Sequence, residues 1–215
     1  MSPTLENLKP SQIAIPAGEL IAVSGANGFM GSHICDQLLH LGYRVRGIVR
    51  NKERGAWLVN YFEEKYGPEV FELAQVPDMT VPRSCDDAVS ANRVLKMLWD
   101  GDDSDDVANA FTAQWFCEVK NVSTLHVGAL LLSDVKSERL FAYAARFTIN
   151  DILSIFRNTS PGKRFRNDVA DTKPDRTEVP NKRSGEVLRL ISVPRWTTLK
   201  ECLEGLVKQW SGMSD

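Results

Sequence analysis

The chain has 215 residues, a formal net charge of −2, 43% hydrophobic residues and 25% charged ones. That length can bury a sizeable core, in one large domain or a domain with an appendage. The near-balanced charge carries no electrostatic footprint for nucleic acid or an anionic membrane. Cys35, Cys85, Cys117 and Cys202 lie far apart with no Cys-x-x-Cys pair, so no metal site is expected and the thiols read as reduced, in a cytoplasmic protein.

Residues 1–18 hold Pro3, Glu6, Lys9, Pro10 and Pro16 and form a polar lead-in, neither a secretory signal nor a membrane span. Leu20 to Ser24 then reads as a strand that runs into Gly25-Ala26-Asn27-Gly28-Phe29-Met30-Gly31, with glycine at every third position. A helix follows, its apolar stripe made by Phe29, Met30, Ile34, Leu38, Leu39 and Leu41 and its end set by Gly42. A strand, a tight turn and a helix N-terminus hold a dinucleotide pyrophosphate, because free backbone N–H groups and the helix dipole both favour negative charge there. Gly25, Asn27, Gly28, Phe29, Met30 and Gly31 are therefore the candidate cofactor-binding residues.

Tyr43 to Val49 is the second predicted strand, and residues 52–66 form a helix with Trp57, Leu58, Tyr61 and Phe62 on one face. Gly67-Pro68 stops it, and Val70 to Val76 is the third strand. The fold class is thus α/β, the mononucleotide-binding half of a doubly wound parallel sheet with strands in the order 3-2-1. The end of the second strand decides the cofactor. An acid there would accept from the ribose 2′-hydroxyl of NAD, whereas arginine suits the 2′-phosphate of NADP. Arg46 to Lys52 contains no acid and places Arg50 at that position, so NADP is favoured; the plain alternative is a surface arginine.

Beyond the third strand no fourth is visible. Residues 82–98 give short helical fragments and Asp100 to Asp106 an acidic loop. A calcium loop starting at Asp100 fails, since Asp105 stands where glycine is needed and Phe111 where the bidentate acid belongs. Trp115 to Val119 is predicted as a short strand, His126 to Leu132 as part of a helix and Arg139 to Ala145 as a strand. Thr148 caps a helix carrying Ile149, Ile152, Leu153 and Phe156. Residues 157–184 read as a polar loop, and Thr198 with Glu201 opens a terminal helix through a capping box. The expected division is residues 1–90, half of a dinucleotide-binding domain, and residues 91–215, a small α/β substrate-type remnant.

Ser24 to His33 together with Val45 to Arg50 resembles the extended short-chain dehydrogenase/reductases, the NAD-dependent epimerase/dehydratase family, and among them the dihydroflavonol-reductase-like carbonyl reductases of fungi. Val76-Pro77-Asp78-Met79 matches that family's aspartate after the third strand, which implies that Asp78 contacts the adenine. Gln114 to Val122 with Leu125-His126-Val127 is similar to the family's substrate-domain motif, with Asn121 where an aspartate is usual. The resemblance implies NADP as cofactor, a small-molecule carbonyl substrate and reduction by hydride transfer.

The same resemblance implies a serine or threonine and a Tyr-x-x-x-Lys pair, in which the lysine lowers the tyrosine pKa for general acid catalysis. Between Val89 and Lys96 the segment that would carry them is missing, so no catalytic residue is assigned and turnover is in question. Tyr61 and Lys65 have the right spacing, but on a helix between the second and third strands, where an amphipathic surface helix explains them. Three accounts stay open: a reductase in which other residues replace the pair, a non-catalytic NADP-binding or interaction protein, and a shortened product of a longer reductase gene. Without a fourth strand the first strand has an open edge, which a homo-oligomer could cover.

Overall fold

A computed structural model describes residues 3–76, 91–109, 111 and 113–212. The chain forms two compact units, and neither is continuous in sequence. The first combines Met1–Pro82, Val119–Ala142 and Pro180–Trp196; the second combines Arg83–Glu118, Tyr143–Val179 and Thr197–Asp215. A single division at residue 90 therefore does not describe how the chain packs.

In the first unit, β1 (Leu20–Ser24), β2 (Arg44–Val49) and β3 (Phe71–Gln75) form a parallel sheet in the order β1-β2-β3, as the strand–helix–strand pattern predicts. Leu20 pairs with Arg44 and Ser24 with Ile48; Val45 pairs with Phe71. The crossovers are α1 (Phe29–His40) and α2 (Lys52–Tyr66). Alternation gives the sheet two unlike faces. Ile21, Val23, Val45, Val49, Phe71 and Leu73 are buried in one core with Leu38, Leu58 and Phe62 of the helices. On the other face Leu20 stays 40% exposed, and Arg46 pairs with Glu72 at 2.7 Å. Among the described residues β1 pairs with β2 alone, so its other edge is free.

Two helices from beyond residue 90 complete this unit. α5 (Val119–Leu131) packs on α1, and α7 (Lys182–Leu190) packs on α5. Gly128 permits the second approach, because a Cβ there would lie 2.6 Å from Cγ1 of Val187. Residues 182–184 are thus helical where the end of a loop is predicted, and the helix runs on to Leu190. Its apolar stripe is narrow, Val187 and Leu188 among charged residues with Gly185 in the interior, and the contact with α5 supplies the stability that propensity does not. The lead-in also has a fixed place. Ala14 N–H donates to Leu131 O, Ser133 N–H to Gln12 O at 3.0 Å, and Tyr43 Oη to Ile15 O at 2.8 Å.

The second unit holds α3 (Ala91–Asp100), α4 (Asp105–Asn109), the antiparallel pair β4 (Gln114–Phe116) and β5 (Ala145–Phe147), α6 (Ile149–Thr159) and α8 (Leu199–Trp210). Its core gathers Leu98, Trp99, Val107, Ile152, Phe156 and Leu203. The predicted capping box of Thr198 with Glu201 forms, and the predicted cap Thr148 makes one as well, with Asp151. Three expectations are corrected. The fragments from Ala91 onward are one helix, those predicted over 82–90 lying outside the described residues, and the acidic loop turns helical at Asp105, where the hydroxyl of Ser104 accepts from the Val107 N–H. Residues 139–144 are not strand, and pairing begins only at Ala145, opposite Phe116.

Candidate functional site

β1 ends at Ser24, and Gly25 follows with φ +64°, a left-handed conformation that glycine adopts without strain. The Ala26 N–H donates to Ile48 O at 3.3 Å and the Gly28 N–H to Gly25 O at 2.9 Å, which closes the turn. Gly28 is the N-cap of α1 in extended conformation, and it has no side chain with which to accept from the helix. The N–H groups of Phe29, Met30 and Gly31 have no intrahelical acceptor by helix geometry, and they share the positive end of the helix dipole. Gly31 allows the helix to sit against the turn: a Cβ there would meet Gly25 O and lie 2.8 Å from the Gly25 carbonyl carbon. A Cβ on Gly28 would lie 3.2 Å from Gly25 O. Asn27 is exposed on the turn, Met30 is half-buried, and Phe29 is 62% exposed with its ring edge-on to His33 at 5.3 Å.

A fourth glycine belongs to this geometry, and spacing alone does not disclose it. A Cβ on Gly47 of β2 would lie 2.9 Å from Ala26 Cβ and 2.7 Å from Phe71 Cζ. Gly47 thus leaves room for the turn to pack down on the sheet.

Arg50 lies two residues beyond Ile48, the partner of Ser24, so it and the glycine turn share the C-terminal edge of the sheet. It is exposed, and among the described residues nothing engages its guanidinium. Asn51 follows as N-cap of α2, its Oδ1 accepting from the Arg54 N–H at 2.9 Å, and the Lys52 N–H donates to Gln75 Oε1 at 3.3 Å. Asp78 lies outside the described residues.

The Tyr61–Lys65 pair lies on α2 with its lysine engaged by another element. Tyr61 is 47% exposed about 13.5 Å along α2 from its start, away from the glycine turn. The Lys65 ammonium is bound to Asp36 of α1 at 2.7 Å, and Tyr66 Oη donates to the same carboxylate at 2.8 Å. Tyr143 is a coil residue edge-on to Trp115, and His126 bonds through Nδ1 to Val122 O. Burial pushes the thiols of Cys35 and Cys117 up to about 12, so neither is a nucleophile near neutral pH. Among the described residues, no group of His, Cys, Asp and Glu could hold a metal ion, and no helix is long and apolar enough to cross a membrane.

Residues 21–94 match the model of the NAD dependent epimerase/dehydratase family. The ketoreductase adrE of Penicillium roqueforti is 33% identical over 147 residues, 68% of this chain and 34% of that protein. Aldehyde reductase 2 of Sporidiobolus salmonicolor is 41% identical over 81 residues, 38% of this chain and 23% of the relative. The chain thus spans about a third or less of the relatives it matches in sequence. In structure it is similar to yeast methylglyoxal/isovaleraldehyde reductase Gre2 complexed with NADPH, with a TM-score of 0.67 at 14% identity over 91% of this chain and 100% of that one. Gre2 of Candida albicans in its NADPH complex gives 0.68 at 14% identity, over 93% and 100%. At that identity the likeness shows the fold.

Proposed function

We propose that the chain is an NADP(H)-binding protein of carbonyl-reductase type whose own catalysis is impaired. What supports this most is the turn itself, where positive φ at Gly25, the close seat of Gly31 and the bare N-cap Gly28 meet at one helix end. The glycine turn and Arg50 fit a dinucleotide: the N–H groups of Phe29 to Gly31 would hold the pyrophosphate and Arg50 the 2′-phosphate, while the family resemblance gives Asp78 the adenine. When bound, the nicotinamide supplies a hydride for an aldehyde or ketone. The proton donor is the missing part, since Lys65 is committed to Asp36 and does not activate Tyr61. The setting is cytoplasmic, and a homo-oligomer covering the free edge of β1 belongs to the same proposal.

Titration with NADPH and NADH tests it. NADPH is expected to bind more tightly, and Arg50→Ala to weaken NADPH about tenfold while leaving NADH unchanged. With a panel of aldehydes and ketones the bound NADPH is expected to stay unoxidised. Turnover that Tyr61→Phe abolishes would place catalysis on the pair dismissed above. The small share of each relative's length that the chain covers favours a second proposal, a shortened product of a longer reductase gene. An in-frame segment encoding Tyr-x-x-x-Lys in the genomic DNA behind residues 84–92 would establish it.

A further inference from the structure

We propose that Gln75 is a positioning residue for cofactor choice, acting through Arg50, an inference that rests on NADP occupying the glycine turn. The two helix ends at this edge of the sheet are finished differently. α1 begins at Gly28 and offers its first N–H groups to a ligand. At α2 two of the equivalent donors are already satisfied by neutral side chains: Asn51 Oδ1 takes the Arg54 N–H and Gln75 Oε1 the Lys52 N–H. Recognition of an anion beside α2 therefore falls to the side chain of Arg50, and its aim depends on the backbone that carries it.

That backbone is held from both sides. Upstream, the Val76 N–H donates to Val49 O at 3.0 Å, extending the β2–β3 ladder to the residue before Arg50. Downstream, Asn51 ties the turn to α2, and Gln75, the last residue of β3, ties Lys52 to the sheet across 23 positions of sequence. The guanidinium has no fixed partner of its own among the described residues, so these backbone clamps are what limit its range. A preset arginine loses less freedom when it meets a phosphate and so binds it more tightly. NADH lacks that phosphate and gains nothing from the clamp.

Gln75 is exposed, so Gln75→Met keeps the length of the side chain and removes the acceptor without opening the core. Gln75→Met is expected to weaken NADPH roughly fivefold, leave NADH unchanged, and have no further effect on NADPH in an Arg50→Ala background. Asn51→Ala should show the same pattern and Asn51→Ser should restore wild-type affinity, serine being an equivalent cap. Equal loss for both cofactors, the same loss without Arg50, or no loss at all overturns the role of Gln75. If Arg50→Ala itself leaves the preference for NADPH unchanged, the assignment of the cofactor fails instead.

Discussion

Gly25, Gly28 and Gly31 share a spacing but not a reason, and substitution should separate them. Gly31→Ala puts a methyl group against the Gly25 carbonyl and is expected to cost about 1–3 kcal/mol, read as a lower denaturant midpoint at unchanged slope. The cofactor should bind more weakly, because helix and turn can no longer approach. These glycines are legible in sequence because their neighbours in space are their neighbours in the chain, and Arg50 because the strand pattern marks the end of β2. Gly47 and Gln75 are not. Gly47 is defined by Phe71 and Ala26, and Gln75 by Lys52, and no local pattern announces a partner more than twenty residues away.

The helices that cross the sheet are joined by one polar cluster. Asp36 of α1 receives Lys65 and Tyr66 of α2. Burial first, and then Asp36, pushes the Tyr66 phenol from its ordinary 10.0 up to about 12. Burial opposes the charge on Lys65, but its bond to Asp36 prevails and holds its pKa above the ordinary value. A raised folded-state pKa means stability that is complete below the unfolded value and is lost as pH rises through the folded one. Thermal melts should therefore hold up to about pH 10 and fall between pH 10 and about 12. Absorbance at the tyrosinate band should show two late phenols, since burial raises Tyr43 as well, and Tyr66→Phe should remove one of them with its share of the fall. Among the elements, the first three strands and their helices follow directly from periodicity and glycine stops. α7 and the start of β5 do not: the one depends on packing against α5 and the other on its partner Phe116.

On the scale of the molecule, each unit has its own core, so unfolding should not be two-state. Calorimetry is expected to resolve two transitions. NADPH at about a hundred times its Kd should raise only the one belonging to the sheet-bearing unit, by about 2.7 kcal/mol. The fluorescence of Trp99 and Trp210, in the core of the other, should follow the unmoved transition. The discontinuity of the sheet-bearing unit bears on its synthesis. Met1–Pro82 leaves the ribosome long before Pro180–Trp196, yet α5 awaits α7 from that last segment. Throughout translation the uncharged strand Leu20–Ser24, paired among the described residues along one edge only, lies beside an unfinished core. Such a nascent chain is exposed to wrong strand pairing for almost its whole time on the ribosome, and its yield in a cell should depend more on chaperone supply than on the stability of the finished fold.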